Sequence, residues 1–211
     1  MSDILNDFYS DKPNNTFVFN QNPEILIKEI EVSTANVKIT YAKDDGSTIL
    51  QFVNWTSPAK ETGLVSAGAF KVFLGQWTKF GSLFATEDQV KERNSAAAAK
   101  ALAELNVASI TEALAAGGHQ VLMETIVKGV LDLVKGQVYN TRGTLVLGYN
   151  PKGFLTPPKF GQGGLYEWPF YVGGNPVLPA GDAWFLHTKP ASNQSTTSNT
   201  TAPPVTEEAP W

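Results

Sequence analysis

The amino-acid sequence predicts an α+β fold, in which an antiparallel β-sheet or sandwich is covered by a helical insertion at about residues 87–138. Residues 36–42 alternate between apolar and polar side chains, and an Asp-Gly turn then leads into a return strand at 47–55, which is typical of a β-hairpin. Residues 86–138 instead carry helix-capping motifs and apolar residues at helical spacing. The 211-residue chain is 42% apolar and 17% charged, a balance typical of globular proteins and not of disordered ones.

The predicted sheet begins with three segments that follow one another along the chain. Residues 25–32 are rich in β-branched side chains, which favour strands. Residues 36–42 alternate with a period of two, which indicates a strand buried on one face. The Asp45-Gly46 pair marks a tight turn because glycine accepts a positive φ, and residues 47–55 then return as a third strand.

Further strands are predicted at 70–84, 144–149 and 183–187. Residues 144–149 and 183–187 are short apolar runs between polar or glycine-containing segments. Segment 70–84 contains large apolar residues interrupted by Gly75 and Gly81, and we expect it to add one or two strands.

Two or three helices are predicted in the insertion. Residues 86–89 form a capping box, with a threonine to accept the N3 amide and a glutamine to reach back. A second such motif at 109–112 predicts a break near Asn106, and Gly117-Gly118 is expected to end the segment that follows. Residues 120–138 are predicted to form the best helix, because their apolar and charged residues lie on opposite faces.

The domain organisation predicted from these elements is a single α+β domain at 25–187 with extended arms at both ends. Residues 1–24 are polar but carry scattered aromatic residues, which pack on the chain's own core or on a neighbouring subunit. From residue 188 the chain consists mainly of Thr, Ser, Asn, Pro and Ala, a composition that buries too little surface to fold alone.

Composition excludes several classes of protein. The absence of cysteine excludes disulfide frameworks, thiolate metal sites and cysteine nucleophiles. A formal net charge of −4 without a run of Lys or Arg gives no support to direct nucleic-acid binding. The first 30 residues lack a signal-peptide pattern, and no 18-residue apolar stretch occurs, so we expect a protein made in soluble form in the cytoplasm.

No residue pattern predicts catalysis. The glycine-rich run 161–164 follows no predicted strand and opens no helix, so it does not indicate a phosphate cradle. Glu167, flanked by two aromatic residues, resembles a sugar site, but buried rings beside an exposed acid explain the pattern better. His119 is expected at an exposed helix start, and an Asp182–His187 hydrogen bond would be structural.

Three pairs of adjacent carboxylates also have structural explanations, as a turn, a helix N-terminus and a solvated tail; they are Asp44-Asp45, Glu87-Asp88 and Glu207-Glu208. We therefore predict no catalytic residue, no metal site and no cofactor.

The leading functional hypothesis from sequence is a non-enzymatic, self-assembling structural protein, such as a virion or phage particle component, whose ends dock on neighbouring subunits. Its partners would be copies of itself or other structural subunits, without direct nucleic-acid contact, and its location would be the virion. A membrane-inserting, toxin-like protein is the first alternative, because helix 120–138 is amphipathic. A hydrolase or carbohydrate-binding protein that uses dispersed carboxylates and aromatic residues is the second.

Overall fold

The computed structural model describes residues 16–158, 168–174, 176, 178–181, 183 and 185–191 of the chain. Most of the predicted N-terminal arm, and the tail from residue 192 onward, lie outside these residues. The described strands are β1 (Asn20–Val32), β2 (Asn36–Ala42), β3 (Thr48–Asn54), β4 (Arg142–Tyr149), β5 (Leu155–Thr156) and β6 (Phe170–Tyr171), and the helices are α1 (Ala67–Gly81), α2 (Glu87–Leu105), α3 (Ile110–Ala115) and α4 (His119–Val138).

The strands form an antiparallel sheet in the order β3-β2-β1-β4-β5, which confirms the predicted α+β class. β6 pairs with β4 as well, so β5 and β6 together follow one edge of that strand. The long strand β1 pairs with β2 on one side and β4 on the other, and its register shifts at 22–25 and 27–29. Such bulges bend a strand and increase its twist.

The sheet curls until its two ends approach each other. β3 and β5 stand at opposite ends of the hydrogen-bonded order, yet their Cα atoms come within 8 Å of one another. With β6, the curved sheet has six strands in the described part of the chain. The four helices stand between β3 and β4 in the sequence.

The helix boundaries follow the capping motifs closely. The Thr86 side chain accepts the Gln89 amide while Gln89 reaches back, so the predicted capping box is confirmed. Asn106 ends α2 in the left-handed conformation, which confirms the predicted break. The Ser109 side chain accepts the Glu112 amide, although Glu112 reaches back to the amide of residue 108 and not to the cap residue itself.

Segment 70–84 was expected to form strands and is instead mostly helix α1, so that prediction is wrong. Ser66 caps the helix by accepting the Ala69 amide. Four large residues at helical spacing face the core: Phe70, Phe73, Trp77 and Phe80. The predicted strand at 183–187 is also wrong, because the described part of that segment makes only one isolated bridge, between Leu186 and Tyr149.

One hydrophobic core lies between the helices and the inner face of the sheet. The Trp77 and Phe80 rings contact Trp168, with centroids 5.6 and 4.9 Å away, and Trp168 in turn contacts the inner face through Tyr41. The apolar face of α4 is buried in the same core, at Leu122, Met123, Ile126, Val127, Val130, Val134 and Val138. Among the described helices, none has both the length and the apolar character needed to cross a membrane.

Candidate binding face

The residues considered as catalytic candidates do not come together. His119 begins α4, whereas a ring nitrogen of His187 lies 2.8 Å from the carbonyl oxygen of Pro179. Trp168 is a core residue with 2% of its surface exposed. Within the described part of the chain, no three metal-ligating side chains are grouped as a metal site requires. The other candidates lie outside the described residues; they are Gly161, Gln162, Gly163, Gly164, Tyr166, Glu167 and Asp182.

The first carboxylate pair holds the β2–β3 turn in place. Asp44 accepts a hydrogen bond from Arg142 at 2.8 Å, which ties the turn to β4. Asp45 accepts hydrogen bonds from the Thr16 hydroxyl at 2.6 Å and from the Ser47 amide at 2.8 Å. These donors favour the ionised carboxylate, so they lower the pKa of Asp45.

The second carboxylate pair lies in the first turn of α2. Glu87 forms an ion pair with Lys91 at 2.7 Å, and the hydrogen bond from Lys91 lowers the pKa of Glu87. Acidic residues at this position also compensate the positive end of the helix dipole. Both described pairs therefore have structural roles, while Glu207-Glu208 lies outside the described residues.

A buried polar network connects the inner face of the sheet to the core. The Tyr41 hydroxyl donates to the side-chain oxygen of Gln51 at 2.6 Å, and Trp168 Nε1 donates to the Tyr41 oxygen at 3.2 Å. Burial raises the pKa of Tyr41, so the phenol remains neutral. Each of the three groups has a partner, as buried polar groups require, and the network serves folding.

The outer face of β2 and β3 is different, because it exposes apolar side chains beside a lysine. We call this surface the binding face and define it by Lys38, Thr40, Leu50 and Phe52. Phe52 lies directly opposite Lys38 in the antiparallel register, and Leu50 lies opposite Thr40. Phe52 remains 49% exposed and Leu50 44% exposed.

The β4–β5 loop, residues 150–154, presents a third exposed apolar group, Phe154, which is 66% exposed. The loop is held by its own hydrogen bonds: Asn150 Oδ1 accepts the amides of Lys152 and Phe154, both at 3.0 Å. Gly153 adopts φ +81°, a conformation that glycine tolerates best. Phe154 directly precedes β5, the strand that approaches β3.

Charge on the binding face is mixed. Lys38 forms a close ion pair with Glu31 of β1, and the hydrogen bond that Lys38 donates to that carboxylate raises the pKa of Lys38. Lys28 of β1 and Lys152 of the β4–β5 loop are both exposed. Acidic side chains border the face as well, because Glu29 and Glu31 of β1 lie opposite Thr40 and Lys38, so the face is not a strongly basic patch.

Sequence reasoning did not identify this face, although a signal for it was present. In β3, residues 48–54, the apolar side chains are Ile49, Leu50, Phe52 and Val53, so both faces of the strand carry apolar groups. A strand buried on one face only would alternate strictly. The apolar groups on the outer face, Leu50 and Phe52, therefore indicate a surface that can bind another molecule.

Comparisons with known proteins provide no family for this chain. No protein-family model, no curated protein and no solved structure matches it. Function is therefore inferred from the strand order and from the residues of the binding face.

Proposed function

We propose that this protein is a non-enzymatic binding protein that holds single-stranded nucleic acid across the binding face. The observation that supports the proposal is the order β3-β2-β1-β4-β5 with β3 close to β5, which is similar to a five-stranded, partly open barrel apart from the additional short strand β6. In the OB-fold, which is such a barrel, the face of the second and third strands and the adjoining loops bind oligonucleotides or oligosaccharides. This step is an argument from fold analogy. The side chains at those positions supply the chemistry that a nucleic acid needs.

The exposed phenylalanines favour nucleobases as the ligand. Nucleobases stack on aromatic side chains, and each stacked base contributes about 1–3 kcal/mol. Phe52 on β3 and Phe154 on the β4–β5 loop offer two such platforms. Asn150 holds the loop through two hydrogen bonds, so the second platform is already ordered before binding.

The few lysines predict weak salt dependence. Lys28 and Lys152 are exposed cations that can contact phosphates, whereas Lys38 is already paired with Glu31. Two such contacts give a slope of log K against log salt of only about −1.4 for a single strand. The proposal departs from the sequence-based expectation of no direct nucleic-acid partner, which depended on the absence of a basic run. Stacking requires no such run.

Fluorescence anisotropy with a labelled oligothymidylate, longer than the about 4–16 nucleotides that one such domain covers, tests the proposal. We expect binding at about 50 mM salt, and at least fivefold weaker binding, roughly 1 kcal/mol, for Phe52→Ala and for Phe154→Ala. Val72→Ala is the matched control, because Val72 is 52% exposed on α1, away from the face. Wild-type protein that binds no oligonucleotide, or Phe52→Ala that binds as wild type does, contradicts the proposal.

The sequence-based hypothesis of a self-assembling structural subunit, such as a virion or phage particle component, is the second candidate. It is favoured by the position of Leu50 and Phe52 on β3. This strand stands at the end of the sheet order and pairs with β2 alone among the described strands. An edge strand with exposed apolar side chains readily accepts another chain.

Light scattering of the purified protein separates the two candidates. Under the assembly hypothesis, wild-type protein forms large, defined oligomers without nucleic acid, and Phe52→Lys reduces their size. A monomer that binds oligothymidylate excludes assembly through β3. Competition by an oligosaccharide in place of an oligonucleotide would support the carbohydrate-binding alternative instead.

The membrane-inserting alternative remains a prediction with a specific structural requirement. The apolar face of α4 would have to leave the core, since Leu122, Ile126 and Val130 are fully buried. Dye release from liposomes is its direct measurement, and intact liposomes at protein concentrations that saturate the oligonucleotide would contradict it.

A further inference from the structure

A groove of about 600 Å³ lies on the helical layer between α1 and α2. Its floor is apolar, with Phe70 and Leu74 from α1, Ala98 from α2 and Ile126 from α4 among its lining residues. Gly75 forms part of its wall, and a Cβ atom added there would meet no atom within 4 Å, so the groove is open at this point.

The rim of the groove is positive. Lys71, Lys79 and Lys91 line it together with one carboxylate, Glu87. Glu87 is already paired with Lys91. Neither Lys71 nor Lys79 forms an ion pair with any described residue. The charge of Lys79 also helps to lower the pKa of Glu87, so the rim as a whole carries three cations against one anion. This positive excess, on a protein of net charge −4, favours an acidic occupant.

The groove also contains a buried acceptor without a donor. Asn94 is only 6% exposed, and its Nδ2 donates to the Thr78 hydroxyl at 3.0 Å. That hydroxyl donates in turn to the Leu74 carbonyl oxygen at 2.8 Å, which fixes the orientation of the amide. Asn94 Oδ1 is then buried with no partner among the described residues, at a cost of about 1–3 kcal/mol. Because the oxygen itself has almost no exposed surface, an N–H or O–H donor of an occupant would remove that cost only after side chains at the groove floor shift.

We propose that residues 205–211 of the chain itself occupy this groove. This segment has the three required properties: Glu207 and Glu208 are acidic, and Trp211 combines a large apolar ring with an N–H donor. The acids compensate Lys71 and Lys79, while the indole occupies the apolar floor and donates to Asn94 Oδ1. Residues 192–211 include no Lys, Arg or His that would oppose this docking.

The segment is long enough to dock within one molecule. The 16 residues from Ala191 to Glu207 span at most about 50 Å when extended. A compact domain of this size has a radius of gyration of roughly 16 Å and therefore a diameter of roughly 40 Å. Because a tethered segment has a high effective concentration near its own domain, docking within one molecule is favoured over docking between copies.

A second groove, between α2 and α4, provides the internal comparison. Its rim carries three basic and three acidic side chains, so it has no charge preference for an acidic segment; they are Arg93, Lys100, Lys128, Glu104, Glu124 and Asp132. Ser95 lines the first groove and Ala96 the second, although the two residues are neighbours on α2. They form a matched pair of positions for a proximity test.

The chain contains no cysteine, so engineered disulfides have no competing thiol. We would prepare full-length Ser95→Cys/Ala209→Cys and the matched control Ala96→Cys/Ala209→Cys, and follow disulfide formation by gel mobility. We expect cross-linked monomer to form at least about tenfold faster in the Ser95 variant, because docking raises the local thiol concentration. Gly75→Leu, which fills the groove, should abolish this advantage, and Lys71→Glu/Lys79→Glu should reduce it.

Equal rates in the Ser95 and Ala96 variants, or a rate that Gly75→Leu does not change, would overturn the proposal. Cross-linked dimer in place of monomer would also overturn it, since that result places the segment on a neighbouring copy. Thermal unfolding of each variant identifies a folding defect. If Gly75→Leu is unstable, the comparison between the Ser95→Cys and Ala96→Cys rates still decides the proposal. The inference does not depend on the proposed nucleic-acid function, because cross-linking is measured without an oligonucleotide.

Discussion

The two faces of the β2–β3 hairpin share one backbone but have different chemistry. On the inner face, Ile39 and Tyr41 are completely buried and Gln51 is 6% exposed. On the outer face, Leu50 and Phe52 keep nearly half of their surface in contact with water. In β3, residues one position apart therefore belong to different environments, as the period-two geometry of a strand dictates. In β2 the outer residue Thr40 is also buried, at 8% exposed, so the apolar exposure of the outer face comes from β3.

This difference indicates which residues stabilise the fold and which are available for another purpose. An apolar side chain stabilises a fold in proportion to the area that it buries, so the inner residues contribute most. The exposed area of Phe52 and Leu50 is not used in folding. Their position beside Lys38, and not their number, is what makes the outer face a candidate for binding.

The largest effect is expected when an inner residue is truncated. Ile39→Ala should lower the free energy of unfolding by about 2–5 kcal/mol, because it removes buried methyl groups and leaves a cavity. Phe52→Ala should change it by no more than about 0.5 kcal/mol. Urea unfolding, followed by tryptophan fluorescence, measures both variants. A loss for Phe52→Ala as large as that for Ile39→Ala would mean that the outer face is packed, and the contrast between the faces would fail.

The hairpin was predictable from sequence because its signals are local. Residues 36–42 alternate strictly, and the Asp45-Gly46 turn fixes the return strand. The helical caps at residues 86 and 109 are equally local, and they lie where they were expected. Within such segments, propensity, pattern and turn chemistry all favour the same structure.

Helix α1 was missed because two glycines obscured a helical period that was present. Gly75 and Gly81 suggested strands, but the helix contains both; Gly81 is tightly packed, whereas a Cβ on Gly75 would contact nothing within 4 Å. Gly75 forms the wall of the groove, and a Cβ on Gly81 would lie 2.8 Å from a Val90 methyl group. The spacing of the four aromatic residues that face the core is helical. The helix begins after Ser66, which caps it alone, because the N3 residue is Ala69 and cannot complete a capping box.

The binding face could not be predicted from sequence for a different reason. It depends on the approach of β3 to β5, which lie about 100 residues apart along the chain. β5 has only two residues, too few for a periodic pattern. Long-range strand order is the information that local patterns do not contain, and it is the basis of the functional proposal.

A smaller effect is expected when the polar network of the inner face is broken. Tyr41→Phe removes one oxygen and leaves both Trp168 Nε1 and the Gln51 oxygen without their partner. We expect the free energy of unfolding to fall by about 1–3 kcal/mol, because buried polar groups are left unpaired. Tyr139→Phe is the matched control, since Tyr139 is 41% exposed and should tolerate the change. Equal stability of the two variants would show that water replaces the lost hydroxyl.

The smallest effect is expected at Asp45, in the turn that connects the two strands, and it should depend on pH. The hydrogen bonds from Thr16 and Ser47 lower the pKa of Asp45 in the folded state, below its unfolded value of about 3.9. The resulting stabilisation is therefore complete above pH 4 and is lost as the pH falls through the folded pKa. Asp45→Asn should lower the melting temperature slightly at pH 7, and the difference should vanish at the acidic end of this window.

Thr16→Val identifies the cause of this effect, because it removes the hydroxyl donor without a change of charge. In the Thr16→Val background, Asp45→Asn should have a smaller effect than in the wild type, as coupled groups do in a double-mutant cycle. Melting curves of the four proteins at pH 7 measure the coupling. Additive changes would mean that the Ser47 amide alone lowers the pKa, and that residue 16 is not anchored to the turn through this carboxylate.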